Sequence, residues 1–259
     1  MNVLESFSLK GKVALVTGGA GLYGRQIVEA VAEAGAVTIT ASRSLEAQQA
    51  LAEKLSAGGG LTVEAAQYDQ GDEESILRLR DDVLKRHGRV DVLVNNAVSR
   101  PMKDVRSRAQ WEESMRVNAT GLFRMCEHFS EPMVAQESGS IINIGSIQGI
   151  IGPDLTLYEG LPGVWWMPEY YFVKGGVVNY TRYLASTLGK YNVRANVISP
   201  GGYFNNQPPA FLRRYEARTF LGRMANDTDL KGAVVFFASD ASLYITGANL
   251  LVDAGYTAK

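Results

Sequence analysis

Short apolar runs rich in β-branched residues recur along the chain, separated by longer stretches in which apolar positions return at helical spacing. The runs are KVALVTG (12–18), AVTITAS (36–42), LTVEAAQ (61–67), VDVLVNN (90–96), SIINIGS (140–146), VRANVIS (193–199) and ANLLVD (248–253). The helical patterns lie near 22–34, 45–57, 73–87, 109–129, 170–190 and 228–238. Seven strands alternating with helices predict a doubly wound α/β fold, with a seven-stranded parallel sheet and helices on both faces. Local chemistry marks several boundaries. Gly88 can end a helix in a left-handed conformation, and the carboxylates of GDEES suit the positive end of the next helix. SAGGG at 56–60 reads as a flexible connection, because the alternation resumes at once. The stretch GIIGPDLTLYEGLPGVWWMPE (149–169) is longer than loops of compact domains usually are, which predicts a functional insertion.

Composition narrows the picture. With 259 residues, 46% of them hydrophobic, the chain fits one large domain spanning 1–259. A net charge of −1 gives no general attraction to nucleic acid or to an anionic membrane, so a small molecule is the expected partner. Cys126 is the single cysteine and His87 and His128 are the two histidines, so no disulfide framework and no metal site are expected. Cys126 and His128 stand two apart on a helical pattern, which disfavours a nucleophile pair. No leader or membrane span is evident, and a cytoplasmic location is expected.

The first strand runs into TGGAGLYGRQIVEAVAEAG. A glycine-rich turn between strand and helix lets backbone N–H groups approach a pyrophosphate at the positive helix end; alone, it is equally a tight turn with no ligand. Together with NNA (95–97), RVNATG around Asn118, Ser146 closing the fifth run, SPGG (199–202) and YYFVK (170–174), it resembles the short-chain dehydrogenase/reductase family. The resemblance runs over nearly the whole chain and implies a single-domain Rossmann fold that binds NAD or NADP. It implies pyrophosphate contacts from Thr17, Gly18, Gly21, Leu22, Tyr23 and Gly24, and further cofactor contacts from Asn96, Ala97, Pro200 and Gly201. Leu22 replaces the family's middle glycine. Gly21, one place earlier, gives the T-G-x-x-G-x-x-G spacing of the epimerase-like branch. Ser42 stands in the usual acidic place after the second strand and Arg43 follows, which favours NADP, with NAD kept open. Asp69 resembles the aspartate that contacts the adenine amino group, although a role in helix capping explains it almost as well.

Tyr170 and Tyr171 stand four and three residues before Lys174, so at about 100° per residue either ring can meet the lysine. The resemblance selects Tyr170, because the family signature is Y-x-x-x-K. It then implies that Tyr170 exchanges the proton, that Lys174 lowers its pKa and binds the nicotinamide ribose, that Ser146 polarises the reacting oxygen, and that Asn118 positions a water relay. Positions 146 and 170 are further apart than the family's usual separation. The added segment, with Tyr158, Glu159, Trp165 and Trp166, is expected to wall the active site. Asn205 stands where the family often has a threonine, and a substrate-side helix and loop is expected near 202–224. Its arginines could meet an acidic substrate, but a solvated face is the default. Arg100, Lys103 and Arg106 follow the fourth strand, where a carboxylated sugar or plain solvent could meet them.

The gluconate 5-dehydrogenase-like branch is the most similar, which implies a secondary alcohol–ketone oxidoreductase acting on a sugar, polyol or sugar acid. Alternatives are a nucleotide-sugar epimerase or dehydratase, prompted by Gly21, and a non-catalytic dinucleotide sensor. A homo-oligomer, dimer or tetramer, is expected by analogy through the helices near 109–129 and 170–190.

Overall fold

The computed structural model describes residues 2–58, 60–162 and 167–258. Seven parallel strands form one sheet: β1 (Val13–Thr17), β2 (Val37–Ser42), β3 (Val63–Gln67), β4 (Val92–Asn95), β5 (Gly139–Ile144), β6 (Val193–Pro200) and β7 (Asn249–Val252). Their spatial order is β3-β2-β1-β4-β5-β6-β7. The order reverses between β1 and β4, which opens a crevice at the carboxyl ends of these strands, where such sheets bind ligands.

Alternation along the strands divides the core into two layers. Leu15, Ile39, Leu93 and Ile141 face α3 (Glu73–His87), α5 (Leu122–Ala135) and α6 (Pro168–Leu188). Ala14, Val16, Val92, Val94 and Ile142 face α1 (Leu22–Glu33), α2 (Leu45–Ser56) and α8 (Lys231–Ala238). Phe129, Leu15 and Ile141 are fully buried. Each such side chain contributes roughly 1.5–3 kcal/mol relative to exposure.

Local signals set many helix ends. Ser44 and Asp72 cap α2 and α3 through Ala47 N and Glu74 N, and Gly88, at φ 72°, closes α3. The helix expected over 109–129 is interrupted. Helix α4 (Arg108–Met115) passes into a π-helical turn at Arg116–Gly121 before α5 begins. Tertiary contact accounts for the widening. Gln70 Nε2 donates to Val117 O at 2.9 Å, and a Cβ on Gly121 would lie 2.1 Å from Gln70 O. Such turns occur often at functional sites, and this one carries Asn118. The helix expected at 228–238 begins only at Lys231, and α7 (Pro209–Glu216) lies in the expected substrate-side segment. Among the described residues no helix is long and apolar enough to cross a membrane.

Candidate active site

At the phosphate-type turn, Gly18 has φ 67°, and a Cβ there would come 2.9 Å from Ala97 Cα. A Cβ on Gly24 would lie 2.2 Å from Gly18 O, so both glycines are required by backbone packing. Gly21 is the N-cap of α1 and offers no side-chain cap, leaving the first-turn N–H groups available to an anion. Leu22, in the family's glycine place, is 46% exposed, so its side chain is accommodated toward solvent. Thr17 is fully buried behind the turn and accepts from Asn96 N and Ala97 N at 3.0 Å each. Asn96 Nδ2 donates to Thr17 O and Gly18 O, also at 3.0 Å. These residues shape the turn from behind. Across the crevice, Tyr23 donates its hydroxyl to Gly201 O at 2.8 Å and meets the Tyr203 ring edge-on at 5.1 Å. The Pro200–Gly201 turn is thereby tied to α1, and Gly201 N donates to Val252 O of β7.

At the end of β2, the Ser42 hydroxyl donates to Ser44 O (3.3 Å) and accepts from Gln48 Nε2 (2.9 Å), so it is committed to α2. Arg43 is exposed, and among the described residues no carboxylate lies within ion-pair distance of it. Asp69 Oδ1 accepts from Gly71 N at 2.8 Å and forms a turn, whereas the cap of α3 is Asp72.

Tyr170, not Tyr171, carries the contact with Lys174: the ammonium lies 5.7 Å from the Tyr170 ring centre. Burial raises the Tyr170 pKa, but the charges of Lys174 and Arg100, with the Ser146 side chain, outweigh it and leave the phenol below its usual value of 10.0. Tyr171 lacks the help of Lys174, and Arg100 acts on it only weakly against burial. Burial pushes its phenol up, and its ring stands perpendicular to Tyr170 at 6.5 Å. Lys174 is buried and donates to Ile144 O at 2.6 Å; burial lowers its pKa although Tyr170 acts to raise it. Ser146, directly after β5, accepts from Gln148 N at 3.1 Å.

Asn118 is held on all sides. It accepts from Ser99 N (2.8 Å) and donates to Ser99 O (2.7 Å) and Ser114 Oγ (2.9 Å). Between Asn118, Asn95, Ile144 and Lys174 lies a cavity of about 10 Å³, enough for roughly one water. The expected Asn118-to-Lys174 relay thus has a space, while the Asn118 side chain itself braces the wall.

Arg100 is the site residue that sequence spacing did not single out. Its guanidinium carbon lies 4.1 Å from the Tyr170 ring centre. Its only signal was a position just past β4, shared with Lys103 and Arg106, neither of which is among the charged groups acting on Tyr170. Arg214 of α7 and Arg218 after it serve the insertion instead. Arg214 donates to Leu157 O (3.2 Å) and Glu159 O (2.7 Å), and Arg218 pairs with Asp154. Tyr158 packs on Phe211 at 5.4 Å. Trp165 and Trp166 lie outside the described residues.

Cys126 is buried against Asn95 Nδ2 (3.3 Å), and burial pushes its thiol up to about 12. Glu73, Glu127 and His128 bring ligand atoms within 4.8 Å of one another. Arg124 already pairs with both carboxylates, at 3.3 and 2.5 Å, and offsets part of their charge.

The chain is similar over nearly its whole length to known proteins. A family model described as enoyl-(acyl carrier protein) reductase matches residues 21–257. A probable galactose dehydrogenase of Rhizobium meliloti (strain 1021) is 32% identical over 95% of this chain and 95% of its own length. A 3-oxoacyl-[acyl-carrier-protein] reductase of Aquifex aeolicus (strain VF5) is 31% identical over 95% of this chain and 98% of its own. The crystal structure of a gluconate 5-dehydrogenase from Burkholderia cenocepacia J2315, in complex with NADP and tartrate, is 30% identical and covers 100% of both chains with a TM-score of 0.88.

Proposed function

The chain belongs to the short-chain dehydrogenase/reductase family, an NAD(P)-dependent dehydrogenase acting on CH–OH groups, and from that premise we propose that it interconverts a secondary alcohol and a ketone on a sugar, polyol or sugar acid. When bound, the nicotinamide supplies the hydride acceptor or donor. Gly21 and the uncapped start of α1 fit its pyrophosphate, and the exposed guanidinium of Arg43 at the end of β2 supports a preference for NADP.

Tyr170 is the proton-transfer group. In oxidation its phenolate removes the hydroxyl proton, and in reduction the phenol returns it. Ser146 holds the reacting oxygen, Lys174 keeps the phenol acidic, and the water-sized cavity beside Asn118 links Lys174 to a proton path. The observation that carries this reading is the buried Lys174 ammonium 5.7 Å from the Tyr170 ring centre, which with Arg100 and Ser146 holds the phenol below its usual pKa. Exposed aromatic rings on α5 and α6, Phe123, Phe172 and Tyr183, support a homodimer or tetramer through these helices.

The test is turnover of a panel of sugars, polyols and sugar acids, run separately with NAD and NADP, with a 3-oxoacyl thioester as comparator. Net change in nicotinamide absorbance with a carbohydrate-derived substrate, abolished in Tyr170→Phe, is the expected result. Preferential use of the thioester would move the chain to acyl-carrier chemistry. An epimerase would convert substrate with no net change in the nicotinamide.

A further inference from the structure

The active site contains a second cation, Arg100, whose action on Tyr170 leaves most of its hydrogen-bond donors unused. Lys174 is buried and anchored on Ile144 O. Arg100 is exposed and lies over the Tyr170 ring at 4.1 Å. Among the described residues no carboxylate lies within ion-pair distance of Arg100. Arg213 of α7 is likewise exposed but is not among the charges acting on Tyr170, and the other arginines of the substrate side are engaged. Arg214 is spent on backbone carbonyls, Arg218 pairs with Asp154, and Arg223 pairs with Asp229. A guanidinium has five N–H donors in a planar fork, and contact with one phenol leaves most of them unused. An accessible, unpaired fork of this kind is suited to a carboxylate.

We infer that Arg100 is the receptor for a carboxylate carried by the substrate next to the reacting carbon or one carbon removed from it, so that the preferred substrates are 2- or 3-hydroxy acids and their oxo counterparts. This rests on the reading of Tyr170 as the proton-transfer group. The reacting oxygen must come within about 2.6–3.2 Å of the Tyr170 hydroxyl. A carboxylate on Arg100 sits about 2.7–2.9 Å from the fork. Because the Arg100 guanidinium lies 4.1 Å from the centre of the Tyr170 ring, both substrate groups gather around one phenol–guanidinium pair, and a long spacer between them would overshoot. One guanidinium balances one carboxylate. A phosphate, near two negative charges, would call on further cations, and Lys103 and Arg106 do not act on Tyr170. The step balances without a new reactant: the carbinol hydride goes to the oxidised nicotinamide, the hydroxyl proton to Tyr170, and the carboxylate is unchanged.

The experiment compares aldonic acids with their corresponding polyols in the wild-type enzyme, Arg100→Gln and Arg100→Lys, with the oxidised carbon located by NMR of the product. The readout is the ratio of kcat/KM for acid over polyol, in which any change in Tyr170 acidity cancels. The wild-type enzyme is expected to favour the acid and to yield a 2-oxo or 3-oxo acid. Arg100→Gln should lower the ratio about tenfold to hundredfold, the range of a lost charge-assisted hydrogen bond, mainly through KM for the acid, and Arg100→Lys should restore part of it. An unchanged ratio in Arg100→Gln, a wild-type preference for the polyol, or oxidation at a carbon remote from the carboxylate would each overturn the inference. Full activity in Tyr170→Phe would instead overturn the proton-transfer assignment beneath it.

Discussion

Replacing Lys174 with methionine keeps most of the side chain's bulk and removes the charge that acts on Tyr170. The ammonium lies 5.7 Å from the ring centre and is buried, so it is little screened by salt. At an effective dielectric of about 20, unit charges at that separation interact by about 3 kcal/mol. That is about two pKa units. Arg100 is nearer the ring but exposed, so its effect is smaller and cannot replace the lost charge. The direction follows from the wild-type state: the Tyr170 pKa is held below 10.0, and oxidation needs the phenolate, so the rate rises with pH through that pKa. In Lys174→Met the inflection should move up by about two units, and at a pH below it the rate should fall about a hundredfold. The assay is hydride transfer at saturating cofactor, followed by nicotinamide absorbance from neutral to alkaline pH. Thermal unfolding run in parallel controls for the Ile144 carbonyl left without its donor. A variant with retained activity and an unmoved inflection would refute the electrostatic argument.

Ser146→Ala should lower kcat by about a hundredfold to a thousandfold with cofactor affinity unchanged, as for loss of one donor to a developing oxyanion; steady-state kinetics and a cofactor titration check both halves. Arg43→Ala should weaken NADP by about tenfold to hundredfold and leave NAD nearly unaffected, measured as the ratio of the two KM values. Gly24→Ala places a methyl group 2.2 Å from Gly18 O and must push α1 off the turn. It should cost about 1–3 kcal/mol of stability in denaturant unfolding and weaken the dinucleotide as well.

The strands and most helices were legible because their causes are local. β-Branched runs fix β1 to β7, while Ser44, Asp72 and Gly88 terminate helices through bonds to backbone only a few residues away. The glycines of the first turn were legible for the same reason. The candidate site was legible only in outline. Helical spacing allowed both Tyr170 and Tyr171 to meet Lys174, and only three-dimensional packing put the ammonium on Tyr170 while leaving Tyr171 half-buried and away from it. The π-helical turn that carries Asn118 arises from Gln70, 47 positions from its Val117 partner. Arg100 looked no different from Lys103 or Arg106 until α6 brought Tyr170 beneath it, 70 positions away along the chain (100 to 170). Periodicity and capping record what a residue owes to its neighbours in sequence, and that was enough for the architecture. Proton affinity and charge pairing fall off with distance in space, so the chemistry of the site was decided only once the sheet had drawn its strand ends together.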